Sequence, residues 1–288
     1  MAIKNILLPL GEGDQGSAPL GAALSLAKQF EAHLTVLHAK TPAKDLLPYA
    51  TLGLSARMRA TVLDTAHTQA EDTAARLRAL VENRCAEAGV RMRDRPEGKP
   101  GLSAGFVAVE GNQSEVVARQ GRMADLILMP SPRREPPPPT IEAALRDTGR
   151  PLLLLPPGQE SLQIHHVAVA WNGSKEAAQA VASAGPFFAA ADRITLMTTR
   201  RRMGLPPPNA EVLADYLGWH GLTAEIHLLA PNTGSRPVAK SLLKDSGELG
   251  VDLLIMGSFS RPRMRELVFG DVTQWIMKRA ALPVFMVH

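Results

Sequence analysis

The stretch of this 288-residue sequence richest in chemistry runs from Leu253 to Thr273. An apolar run, Leu253-Leu254-Ile255-Met256, leads into Gly257-Ser258-Phe259-Ser260, then a basic stretch, then Gly270-Asp271-Val272-Thr273 at the head of a second apolar segment. Strand, small-residue loop and helix, in that order, is how many chains hold phosphate. Glycines let backbone approach an anion, and the free amides and positive dipole end of the helix favour negative charge. The Walker order Gly-x-x-x-x-Gly-Lys-Ser/Thr is absent. Asp271 opposes the anion reading. Just ahead of a helix its carboxylate caps the same amides, worth about 0.5–2 kcal/mol, and repels a second anion about 4 Å away by about 4 kcal/mol at an effective dielectric of about 20. Arg261, Arg263 and Arg265 of the same loop either offset that charge or form a solvated, partner-facing rim.

Covalent chemistry finds no comparable support. The sequence has no Gly-x-Ser-x-Gly elbow and no His-Glu-x-x-His, and its single cysteine, Cys85, falls on an apolar helical stripe. His165 and His166 are neighbours on a strand, so their rings point to opposite faces and cannot share a metal. Asp125 and Asp252 immediately precede apolar strands and read as turn and strand-entry residues rather than general bases, and Glu266 offers no better base. Trp171, Trp219 and Trp275 are too scattered to stack single-stranded nucleic acid. Arg200-Arg201-Arg202 reads as a solvated loop or as a contact for an acidic ligand. The chemistry expected is binding, not catalysis.

The elements that must position this loop occur twice. Asn5-Ile6-Leu7-Leu8-Pro9 recurs as His166-Val167-Ala168-Val169-Ala170, and Leu34–Leu37 as Ile194–Met197. Ala124–Met129 is nearly repeated by Val251–Met256, and Arg150–Leu155 by Leu282–Val287. Blocks in the same order indicate a tandem duplication, with Pro156-Pro157-Gly158-Gln159 as a short linker. The domains expected are 1–158 and 159–288. Continuous apolar runs, rather than alternating ones, mark strands covered on both faces by helices. A helix is predicted from Ser17 and Pro19 through Phe30, with a counterpart from Ser174. A long one is predicted over Ser55–Ala88, with Leu63, Ala66, Ala70, Ala74, Leu77, Val81 and Cys85 buried and Gly89 as its stop. A third begins after Asn112 or Ser114 and again at Ser235. Each half reads βαβαβαβαβ, a doubly wound parallel sheet that binds ligands beyond the carboxyl ends of its strands. One undivided sheet would contradict two separate units.

Composition agrees with a packed protein. Hydrophobic residues make up 45% and charged residues 21%, which excludes disorder and fibrous classes, and the net charge of +4 is too slight to imply nucleic acid. One cysteine closes no intrachain disulfide. The apolar run at Met1–Pro9 is too short for a signal peptide, and no stretch reaches the length of a membrane span. A cytoplasmic location is expected.

At this point the sequence resembles the universal stress protein family, whose domains carry an early Asp-Gly-Ser turn and a late Gly-x2-Gly-x9-Gly-Ser/Thr loop. Here the late loop is Gly257-x2-Ser260-x9-Gly270-Asp271 and the early turn Trp171-Asn172-Gly173-Ser174, while Gly111-Asn112-Gln113-Ser114-Glu115 matches the segment before the third helix. The resemblance covers both halves. It implies two tandem doubly wound, Rossmann-like domains of the adenine nucleotide alpha hydrolase-like group, with Leu152–Leu155 and Pro283–Val287 pairing across them. It also implies an adenine-nucleotide site, for ATP with magnesium, on Asn172, Thr198, Gly257, Ser260, Gly270, Asp271 and Thr273. Three of these depart from the family pattern. Asn172 lacks the acid's charge, Ser260 adds a Cβ, and Asp271 replaces the hydroxyl residue. In the first half Pro130 stands at the place of Gly257, and the loop runs through Pro136-Pro137-Pro138-Pro139, which offers no amide hydrogens; no nucleotide is expected there. That proline run reads as a rigid loop before it reads as an SH3-type ligand. Self-association or a protein partner is implied. The alternatives are a nucleotide-free interaction protein with a closed pocket and, last, a nucleotide hydrolase without an identified base.

Overall fold

The structure, a computed structural model, describes residues 2–11, 18–42, 55–96, 98–99, 101–132, 136–199, 209–230, 234–258 and 271–288, with the side chain at 271 left out. The first half runs β1 (Asn5–Pro9), α1 (Ala18–Phe30), β2 (His33–Lys40), α2 (Ala56–Ala88), β3 (Ser103–Glu110), α3 (Gln113–Gly121), β4 (Leu126–Pro130), α4 (Pro139–Arg146) and β5 (Leu152–Leu155). The second runs β6 (His166–Ala170), α5 (Lys175–Ser183), α6 (Gly185–Ala190), β7 (Arg193–Thr199), α7 (Ala210–Trp219), β8 (Glu225–Leu229), α8 (Ser235–Glu248), β9 (Leu253–Gly257), α9 (Asp271–Arg279) and β10 (Val284–Val287). Among the described residues the second half has one helix more than expected, and Pro186, in the first turn of α6, accounts for its separate start.

All ten strands lie in one sheet, ordered β3-β2-β1-β4-β5-β10-β9-β6-β7-β8. Two doubly wound units therefore form, joined edge to edge in one sheet rather than as two separate sheets. The reason is the cross-pairing that the resemblance implied. β5 and β10 lie antiparallel, with Val284 opposite Leu154 and Met286 opposite Leu152, while every other pair is parallel. The duplication survives as strand order, 3-2-1-4-5 on each side of the seam. It survives in hydrogen bonds too. Asp125 Oδ2 accepts from the amides of Lys4 and Asn5, both at 2.9 Å, and Asp252 Oδ2 accepts from those of His165 and His166 at 3.0 and 2.8 Å. Both aspartates are strand-entry clamps, as their positions predicted.

Each face of the sheet carries a core shared by both halves. On one face α1, α2, α5, α6 and α7 enclose residues such as Leu26, Val81, Val181 and Leu213; on the other α3, α4, α8 and α9 enclose Val117, Ile141, Leu242 and Ile276. At the seam the Phe187 ring of α6 meets Phe30 of α1 edge-on at 5.3 Å and Phe285 of β10 at 5.4 Å. In the expected linker Pro157 and Gly158 are exposed, and the chain packs against the first half just beyond it. Leu162 and Ile164 are buried, the Leu162 amide donates to Ser25 Oγ at 2.7 Å, and a Cβ on Gly21 would come within 2.5 Å of the Glu160 carbonyl oxygen.

The long helix α2 starts and stops where predicted, capped by Ser55 and ended by Gly89 at φ 65°. Its buried stripe is shorter: Thr73, Ala74, Leu77, Val81 and Cys85 are covered, while Leu63 is 37% exposed. Burial raises the Cys85 thiol's pKa, with Glu82 adding to the effect. At the start of β2, burial first and Arg93 second hold His33 below its ordinary value of 6.5, and its Nδ1 lies 2.9 Å from Ser103 Oγ. A depressed histidine favours folding most when it is neutral. That contribution is complete above the unfolded value and declines as pH falls below about 6.5. Denaturant titrations from pH 7.5 to 5 are expected to show a shallower loss of stability in His33→Asn than in the wild type; equal slopes would contradict this.

Candidate functional site

In the second half the strand order reverses between β6 and β9, and the crevice beyond their carboxyl ends is where a doubly wound sheet takes ligands. β6 delivers Trp171-Asn172-Gly173-Ser174 there. The Trp171 amide donates to the Met197 carbonyl at 2.9 Å, which anchors the turn to β7. Gly173 has φ 73°, a left-handed value that suits glycine. Asn172 Oδ1 accepts from the Ser174 amide at 3.0 Å, and Ser174 Oγ accepts from the Ala177 amide at 3.2 Å as the N-cap of α5. The acceptor oxygen expected to face a ligand thus already serves an Asx turn.

β9 delivers Gly257, and its requirement for glycine is steric. A Cβ there would lie 2.5 Å from both the Ala177 nitrogen and the Glu176 carbonyl carbon, so α5 can rest on the strand end only because position 257 has no side chain. Ser258 follows, buried, its amide and Oγ both donating to the Val287 carbonyl, at 2.8 and 3.0 Å. Glu176 escaped the sequence reading. It lies 5% exposed in the first turn of α5 beside Gly257, its carboxylate 3.6 Å from Lys175 Nζ. An acidic residue after a serine cap was the available signal, since it suits the dipole of a helix start.

Thr198, near the end of β7, is 2% exposed, and among the described residues its Oγ1 has no hydrogen-bond partner. A buried hydroxyl left unpaired costs about 1–3 kcal/mol. The first half shows what fills the same place there. The Leu10 amide donates to Leu37 as Trp171 does to Met197, which makes His38 the counterpart of Thr198. His38 is buried, and its Nδ1 lies 3.0 Å from the Leu10 carbonyl oxygen. Where one half has a hydrogen-bonded imidazole, the other has a smaller side chain with an idle hydroxyl. In the first half Pro138 is the cap and Pro139 the first residue of α4, so the end of the proline run starts a helix.

Among the remaining residues, the described part of α9 begins at Asp271, and Thr273 is buried in that helix. Ser260, Gly270, Ser17, Arg200-Arg201-Arg202, Arg261, Arg263 and Arg265 lie outside the described residues. His166 is buried between Thr195 Oγ1 at 2.8 Å and the Leu249 carbonyl at 3.1 Å, while His165 reaches Asp192 outside, so the pair diverges as predicted. Among the described residues no group of three His, Cys, Asp or Glu could hold a metal, and no helix is long and apolar enough to cross a membrane.

Strand order and helix placement together define a doubled, doubly wound α/β protein. Residues 163–288 match the model of the universal stress protein family. The second half thus carries a domain of that family, and the first half repeats its strand order. No curated protein matches the sequence. Among solved structures, a universal stress protein from Archaeoglobus fulgidus DSM 4304 is similar over 98% of this chain and 97% of its own, with TM-score 0.69 and 18% identity. A functionally unknown protein from Pseudomonas aeruginosa PAO1 is similar over 99% and 92%, with TM-score 0.62 and 14% identity.

Proposed function

We propose that this is a stress-response binding protein, cytoplasmic and non-catalytic, composed of units 1–158 and 159–288, with one adenine-nucleotide site in the second. The observation that carries the reading is the unpartnered, buried Thr198 hydroxyl next to the β6–β9 crevice. A polar atom kept dry and idle in one half, where the other half satisfies a histidine, is explained by a ligand that supplies the missing bond. The ligand proposed is ATP with magnesium. Asn172 turns its amide group to the nucleoside, while the amides of α9 at Asp271 to Thr273, with Ser260 and Gly270, meet the phosphates. Occupancy then alters the 257–273 surface for a protein partner. The buried Glu176 carboxylate and the engaged Asn172 oxygen favour a second reading, an interaction protein whose crevice no longer takes anions.

Isothermal titration with ATP and magnesium separates the two. Thr198→Val is expected to weaken binding about tenfold, the value of one lost hydrogen bond of about 1.4 kcal/mol, while raising thermal stability by removing the idle hydroxyl. Asp271→Ser is expected to tighten it. Absence of binding in both wild type and Asp271→Ser would remove the nucleotide reading, and steady phosphate release by the wild type would replace it with hydrolysis.

A further inference from the structure

A second concavity lies on the other side of the molecule's second half, between α8 and α9. Those helices run back across the sheet, so the groove opens near the amino ends of β9 and β10, remote from the crevice. Its volume is about 620 Å³. One wall is a single face of α8, Lys240, Leu243, Lys244 and Gly247 at helical spacing; the other is Trp275 and Arg279 of α9. Val251 and Leu282, leading into the two strands, form an apolar floor. Gly247 lines the groove without a side chain, and a Cβ there would meet nothing within 4 Å. In the first half the corresponding helices close on each other: a Cβ on Gly121 would lie 2.7 Å from Thr148, and Arg122 and Arg150 bond backbone carbonyls across the gap.

Charge says what the groove fits. Lys240 and Lys244 stand on one wall and Arg279 on the other, its guanidinium 4.9 Å over the Trp275 ring, and among the described residues no carboxylate lines the groove. Glu248, outside the lining, lies 3.2 Å from Lys244 in an exposed helical pair of little strength. Cations above an apolar floor with an aromatic wall call for an occupant with acids around an apolar anchor. The groove is open along its length and spans two turns of α8, about 10 Å. It therefore covers one side of its occupant only, which suits a segment of a larger molecule better than a small ligand needing enclosure. Its concavity does not suit a flat bilayer. We propose that the α8–α9 groove docks an acidic, amphipathic peptide segment of a partner protein, with Trp275 as the aromatic contact and Lys240, Lys244 and Arg279 as the charge clamp.

The test uses the full chain and a fluorescein-labelled synthetic peptide with glutamates flanking a Leu-Phe anchor, followed by anisotropy. Saturable binding in the micromolar range is expected, weakening as salt rises. Gly247→Leu fills the groove, and its Cβ meets nothing; it replaces a helix-interior glycine, so the fold is retained and binding is expected to fall at least tenfold. Lys240→Glu with Lys244→Glu is expected to give a similar loss and to flatten the salt dependence. No saturation by about 1 mM, or binding unchanged in Gly247→Leu, would overturn the proposal. So would equal binding of a peptide without the anchor, capture by phosphatidylserine vesicles that Gly247→Leu abolishes, or a wild-type dimer that the same variant dissociates.

Discussion

Phe187→Ala is expected to lower the stability of the whole chain by about 3–5 kcal/mol, the usual range for deleting a fully buried phenylalanine. The ring has no exposed surface, and it joins three elements, α6 to which it belongs, α1 of the first half and β10 at the seam. Each edge-to-face pair adds about 0.5–1.5 kcal/mol beyond the area buried, so both partners lose with it. The effect should cross the duplication. Hydrogen exchange read separately over β1 and β6 is expected to speed up in both, because the sheet is continuous and both cores contain residues from each half. A loss under about 1 kcal/mol, or acceleration confined to the second half, would show that the halves are energetically separate.

Gly257→Ala is expected to cost about 3 kcal/mol, at the upper end of overpacking penalties. Its Cβ meets main chain of α5 at 2.5 Å, and main chain in a first helical turn cannot swing aside as the end of a side chain can. Displacing that turn also strains the Ser174 cap, worth about 1 kcal/mol, and moves the Asn172 turn that borders the crevice. Gly218→Ala is the control: it lies within α7 with nothing within 4 Å of its Cβ, so it should gain about 0.4–1 kcal/mol. Equal stability of the two variants in chemical denaturation would refute the steric account of Gly257.

The contrast shows which parts of the molecule were legible in the sequence. The central strands were, because residues such as Leu126–Met129 and Leu253–Met256 are covered on both faces and so form unbroken apolar runs. Helix ends at Ser55, Gly89, Asn112 and Ser174 were legible from cap chemistry. The outer strands β3 and β8 were not located. They lie at the two ends of the sheet, and Gly105 in β3 and Glu225 and His227 in β8 interrupt the apolar signal. In the crevice, sequence reading found Thr198 and Gly257 but could not tell whether glycine served an anion or a neighbouring helix, since both demand a missing Cβ. Glu176 was passed over because its burial depends on a tertiary neighbour, Gly257.

The antiparallel seam between β5 and β10 has an evolutionary consequence. Two separate copies meeting through such strands would associate according to their concentration, and any change in one would appear in both. Joined in one chain, they meet at a fixed, high effective concentration, and each sequence is free to drift alone. One copy can then bury a histidine where its twin buries a threonine, an asymmetry that no assembly of identical subunits could encode.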